Sequence, residues 1–196
     1  MTLVAGSFDC HRASESEASA PRESQLEPAS DPDEFIAPGT DVPLSKIEAD
    51  TWRARLGQWQ GTRLDASYQP HGSLVSIRTL HSVDRPIVIA FWASYCPPCV
   101  EEIPMFDRLY DEGYAVAGIS LDADNYVDVK EVLDRRKPHY PQLVLDEPSM
   151  RAAGQVLAHG LPFTLIVDEN GAPQRAFDRK VERKDVLHAL RSANAP

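Results

Sequence analysis

From Ile87 to Ala93 every residue is apolar (IVIAFWA), the pattern of a strand covered on both faces. Downstream, Val100, Ile103, Phe106, Leu109 and Tyr110 recur at helical spacing and the series ends at Gly113. A second buried-strand run, AVAGISL, covers 115–121. The pattern then predicts a helix over Val127–Lys137 stopped by Pro138, a short strand at Leu143–Leu145, and a short helix over Ser149–Ala158. Phe163–Val167 reads as a strand, Glu169–Asn170–Gly171 as a turn and Gln174–Asp178 as the returning strand. A last helix near Arg183–Ser192 sets Val186, Leu187 and Leu190 on one face. Strands alternating with helices, then a hairpin and a closing helix, imply an α/β fold with a mixed central sheet flanked by helices.

Upstream the pattern is weaker. Residues 62–80 predict a peripheral hairpin turning at Pro70–His71–Gly72, and Ile47, Trp52 and Leu56 mark a short helix that packs on the main domain. Pro38, Gly39 and Pro43 point to irregular chain around it. Residues 1–34 are rich in Ser, Ala, Glu and Pro, too poor in large apolar side chains to offset ordering entropy, and read as a disordered acidic tail or tether. The expected organisation is therefore a tail at 1–34 and one domain at 35–196, with 35–84 a peripheral extension and 85–192 the core.

Charge sharpens this division. The net charge is −10, and residues 1–34 hold eight acids against Arg12 and Arg22, leaving only −4 for the rest of the chain. Such a balance argues against a nucleic-acid partner, since phosphate binding needs a basic surface. The longest apolar run is far short of the ~20 residues of a membrane-spanning helix. The start, MTLVAGSFDCHR, lacks the basic and long apolar regions of a secretory signal, so a genuine start would mean a cytosolic protein.

Three cysteines, Cys10, Cys96 and Cys99, are too few for a disulfide scaffold. Two of them flank Pro97 and Pro98 directly after the buried strand and open a helix. A helix N-terminus offers unpaired N–H groups and partial positive charge, which stabilise a thiolate. The spacing lets the second sulfur resolve a mixed disulfide formed on the first. The prolines suit the first helical turn and leave the Cys99 amide as the main donor to a Cys96 thiolate. A zinc site normally needs four ligands, and the chain has no second cysteine pair.

The run FWASYCPPCVEEIP resembles the active-site segment of the TlpA/ResA-like branch of the thioredoxin superfamily, and HGLPFTLIVDENG resembles the same branch's cis-proline segment. The resemblance spans roughly 85–192. It implies a thioredoxin-like fold in a bacterial, extracytoplasmic (periplasmic) disulfide reductase related to cytochrome c maturation factors. It makes Cys96 the attacking thiolate, Cys99 the resolving thiol and Pro162 the cis-proline beside them. The Leu161 backbone would pair with an extended substrate chain, with Pro97, Pro98, Trp92 and Tyr95 around it. The implied partners are a disulfide-containing protein substrate and an upstream thiol electron donor; neither cofactor nor metal is called for.

Two departures bear on mechanism. Thioredoxins proper carry a buried acid six residues before the first cysteine and a Trp just before it; here these positions are Ala90 and Tyr95. Glu102, three residues after Cys99 on the same helical face, matches the acid of ResA-like proteins and becomes the candidate proton acceptor. Pro104 would kink the helix. A copper-binding metallochaperone using Cys96, Cys99 and His159 is the alternative, although copper chaperones of the Sco type space their cysteines by three residues. A peroxidase of the same superfamily would need a Thr or Ser placed before the cysteine that this chain does not offer.

Overall fold

The computed structural model describes residues 42–80, 85–122, 126–157 and 160–193, all within the unit Asp31–Pro196. The expected tail at 1–34, Cys10 and His159 lie outside the described residues. In chain order the elements are β1 (Val42–Pro43), α1 (Lys46–Gln58), β2 (Gln60–Leu64), β3 (Pro70–Ser76), a 3-10 turn (Ile77–Leu80), β4 (Ile87–Trp92), α2 (Pro97–Asp111), β5 (Ala115–Ser120), α3 (Tyr126–Arg136), β6 (Gln142–Leu145), α4 (Glu147–Val156), β7 (Phe163–Val167), β8 (Pro173–Phe177) and α5 (Arg183–Ala193).

One mixed sheet joins all the described strands in the order β1-β8-β7-β4-β5-β6-β2-β3. The central strands β4, β5 and β6 run parallel, which demands the helical crossovers α2 and α3 between them. Antiparallel partners β7 and β2 close the parallel block on either side. Helices therefore cover both faces, and the apolar run of β4 is buried at every position.

Alternation along β4 divides the interior in two. Val88, Ala90 and Trp92 face α2, joining Cys96, Cys99, Ile103, Phe106 and Leu109. Ile87, Ile89 and Phe91 face the other way, joining Trp52, Leu56 and Trp59 from the N-terminal segment. There Trp52 stacks on Phe163 at 5.1 Å, Trp59 meets Trp52 edge-on at 6.0 Å, and Trp59 meets Phe91 edge-on at 5.9 Å. A reciprocal cap starts α1: Ser45 Oγ accepts from Glu48 N–H while the Glu48 carboxylate accepts from Ser45 N–H.

The hairpin forms, but the expectation of a turn at Pro70–His71–Gly72 is corrected. The reversal occupies residues 65–69, and Pro70, His71 and Gly72 belong to β3. Asp65 makes the difference: its carboxylate accepts from Ser67 N–H at 2.8 Å and Gln69 N–H at 2.9 Å, while Tyr68 takes φ +55°. Pro70 opens an edge strand, where its missing N–H removes no ladder bond.

Candidate active site

Strand β4 delivers the chain to the site and α2 receives it. The last rung of the parallel ladder is Leu121 N–H to Trp92 O at 2.9 Å. The backbone then leaves the sheet and turns at once, with Cys96 N–H donating to Ala93 O at 3.1 Å. Cys96 is the N-cap of α2 in extended geometry, Pro97 and Pro98 fill the first helical positions, and Cys99 N–H points at Cys96 Sγ from 3.3 Å. The donor is the amide that the two prolines leave, and here its acceptor is a disulfide sulfur rather than the expected thiolate. The two sulfurs are joined as a disulfide. Cys96 retains 6 % of its surface and Cys99 only 1 %, so an incoming group meets Cys96 first.

A groove of about 470 Å³ opens beside Cys96, lined in part by Tyr95, Pro97, Pro98, Leu157 and Leu161. Tyr95 is strongly exposed at its rim. The Leu161–Pro162 bond is cis, as the resemblance implied, and Pro162 itself is buried at the head of β7. Trp92 is not among the residues that line the groove. It lies on the last residue of β4, 3 % exposed, with its indole N–H donated to Gln142 Oε1 at 3.1 Å.

Glu102 is also buried, at 4 % exposure, one turn along α2 from Cys99. Burial raises its pKa to about 7, against the opposing pull of the Val181 N–H it accepts at 2.6 Å and of the nearby Lys180 and Arg179. Its neighbour Glu101 points outward to Lys180, whose ammonium holds the Glu101 pKa down. The helix runs on through Pro104 to Asp111.

Three buried polar residues escaped sequence reasoning. Asp122 is 5 % exposed and its carboxylate accepts from Ser94 N–H, Ser94 Oγ and Ser120 Oγ. Gln142 holds Trp92, and Gly118 makes room for it: a Cβ on Gly118 would lie 2.2 Å from Gln142 Oε1. The signal that could have found Asp122 and Ser120 is their place two residues apart at the end of a buried strand, facing the same side as Val116. Among the described residues, Asp107, Asp111 and His139 are the group able to offer three metal ligands; Asp107 is half-buried, the other two are exposed, and neither cysteine is included. The copper set of Cys96, Cys99 and His159 falls partly outside the described residues.

Comparison with known proteins agrees with this geometry. A model of the AhpC/TSA family matches residues 63–193. The chain is 30 % identical over 107 residues to the thiol–disulfide oxidoreductase ResA of Halalkalibacterium halodurans, covering 51 % of this chain and 56 % of that protein. It is 24 % identical over 100 residues to the thiol:disulfide interchange protein DsbE of Pseudomonas aeruginosa, covering 51 % and 54 %. The match thus spans about half the length of these curated relatives. Among solved structures, the thio-disulfide isomerase from Thermus thermophilus superposes with a TM-score of 0.52 at 26 % identity, over 82 % of this chain and 99 % of that one.

Proposed function

The chain belongs to the AhpC/TSA family, and from that premise we propose that it is a thiol–disulfide oxidoreductase that reduces protein disulfides by exchange at Cys96 and Cys99. One observation carries the reading: at the head of α2 the more accessible sulfur, Cys96, caps the helix, faces a groove and accepts the Cys99 N–H. The helix N-terminus and that amide both favour a thiolate on Cys96.

In the reduced protein the Cys96 thiolate attacks one sulfur of a substrate disulfide, forming a mixed disulfide and releasing the other substrate sulfur as a thiolate. Cys99 then loses its proton to the Glu102 carboxylate and attacks Cys96 Sγ, releasing the second substrate thiolate. Both substrate thiolates take up protons, and the enzyme is left with the Cys96–Cys99 disulfide. An upstream dithiol returns the two electrons. A carboxyl whose pKa lies near 7 is suited to that proton transfer at neutral pH. The groove beside Tyr95, Pro97, Pro98 and Leu161 would seat the extended substrate chain next to Pro162. An extracytoplasmic setting is part of the proposal and rests on the family resemblance. Among the described residues, no helix is long and apolar enough to cross a membrane.

The test is entrapment. Cys99→Ala cannot resolve and should accumulate mixed disulfides with a model protein disulfide, detected as adducts lost on reduction. Cys96→Ala should accumulate none. Equal adducts on both variants would remove the assigned order of attack.

A further inference from the structure

Asp122 does not touch either sulfur in the exchange described above, yet it is a buried carboxylate against the loop that carries Cys96. A carboxylate is an acceptor-only group, costly to bury unless donors surround it. Here every donor is supplied. Asp122 Oδ2 accepts from Ser94 N–H at 2.8 Å and from Ser120 Oγ at 2.9 Å, and Oδ1 accepts from Ser94 Oγ at 2.6 Å. Ser120 Oγ in turn accepts from Asp122 N–H at 3.1 Å, which fixes the carboxylate on its own strand end.

Two of those bonds go to one residue, and that residue lies two positions before Cys96. After the last sheet bond at Trp92, the segment up to Cys96 has one internal tie, Cys96 N–H to Ala93 O. Among the described residues, Ser94 adds a pair of ties to Asp122, one through the backbone and one through the side chain. We propose that Asp122 is the positioning residue of the redox loop, acting through Ser94 to hold Cys96 at the N-cap of α2. The inference rests on the exchange reading, because that chemistry is what makes the position of Cys96 Sγ matter. The Cys99 N–H···Sγ bond at 3.3 Å is sensitive to small displacements, and the field of a helix terminus fades within one turn. A loop set free would therefore lose thiolate stabilisation.

The geometry also makes the positioning role separable from a simple effect of charge. A nearby negative charge disfavours a thiolate, so a carboxylate acting only through its charge would depress Cys96 reactivity, and removing it by any substitution would lower the Cys96 pKa. Positioning predicts opposite signs for two variants. Asp122→Asn keeps an oxygen for Ser94 N–H and loses the charge, so Cys96 should titrate at or below the wild-type value. Asp122→Ala loses the anchor, so Cys96 should titrate about one unit higher and alkylate about tenfold more slowly at pH 7.

The experiment is the pH dependence of Cys96 alkylation in the reduced full chain, read by mass mapping of the Cys96 peptide, with thermal unfolding of each variant alongside. Ser120→Ala, which loosens the carboxylate but removes no bond to the loop, should shift the Cys96 titration upward by less than Asp122→Ala does. Ser94→Ala should shift it upward by less than Asp122→Ala, and decides the matter should Asp122→Ala fail to fold. The proposal is overturned if Ala and Asn at position 122 both lower the titration, if Asp122→Ala or Ser94→Ala leaves it at the wild-type value, or if Ser120→Ala moves it as far as Asp122→Ala. Alkylation needs no substrate, so a wild type that labels normally but turns over no protein disulfide counts against the exchange reading alone.

Discussion

The two faces of the central sheet are built from alternate residues of the same strands and could hardly differ more in what they bury. On the face under α1 and α4, Trp52, Trp59, Phe91 and Phe163 interlock with aliphatic side chains. On the face under α2 and α5, the apolar packing is interrupted by Glu102, Gln142, Ser120 and Asp122, and by both cysteines. Glu102 accepts from Val181 in the segment before α5, Gln142 Oε1 accepts from Trp92 at the end of β4, and Asp122 accepts from Ser94 in the redox loop and from Ser120, while Gln142 Nε2 has no partner among the described residues. Buried polar groups cost stability unless satisfied. Both faces bury an extensive apolar core, and the polar groups gathered beside the cysteines set the chemistry on one of them.

That division can be broken first at Trp52. Trp52→Ala should cost about 3–5 kcal/mol in denaturant unfolding, since it empties the stacked position over Phe163. In the protein that remains folded, the alkylation rate of Cys96 should stay within about twofold of wild type. A marked loss of thiol reactivity would show that the aromatic face also shapes the site.

On the other face the expected trade runs in reverse. Glu102→Gln should slow reduction of a protein disulfide by about tenfold or more, as loss of a positioned base does, yet stabilise the fold at alkaline pH. The sign follows from linkage: the folded pKa of Glu102, about 7, lies above its ordinary value. Its contribution is fully present below the unfolded pKa and is lost as pH rises through 7. Against wild type, the Gln variant should thus gain nothing near pH 4, then increasingly up to roughly 3 kcal/mol above pH 8. Urea unfolding across that range, with insulin reduction as the activity assay, checks both halves. A stability difference that does not grow with pH would mean that Glu102 is ionised without penalty.

Smaller effects sharpen the same contrast. Gly118→Ala should cost about 1–3 kcal/mol, because its methyl must displace the Gln142 side chain that holds Trp92. Glu101→Gln should alter neither the rate nor the unfolding midpoint measurably, since its pairing with Lys180 is at the surface. A Glu101 variant as slow as the Glu102 variant would mean that the two carboxylates act together rather than from separate faces of α2.

Local pattern made much of this legible from the sequence. The apolar run at Ile87–Ala93 read correctly as a strand covered on both sides, and the helix after Cys96 followed from its own periodicity. The strand at Phe163–Val167 has the bounds its residues indicated. What could not be read was set by distant partners. Glu102 accepts from Val181, 79 residues away, and Asp122 from Ser94, 28 residues away, so no spacing rule connects them. The bond from the Trp92 indole was hidden for the same reason, since its acceptor Gln142 lies 50 residues on. The hairpin turn was missed at shorter range, because the Asp65 side chain outweighed the proline and glycine that followed it.

The order of reaction of the two cysteines bears most directly on the central claim, which gives the chemistry to the Cys96 end of α2. Reduced protein is treated with a limiting amount of iodoacetamide at pH 7, and the labelled peptides are mapped by mass against time. Cys96 should be modified first, with Cys99 lagging by at least about tenfold, in keeping with a thiolate at the N-cap and a shielded thiol one turn behind. Labelling of Cys99 at an equal or greater rate would contradict it.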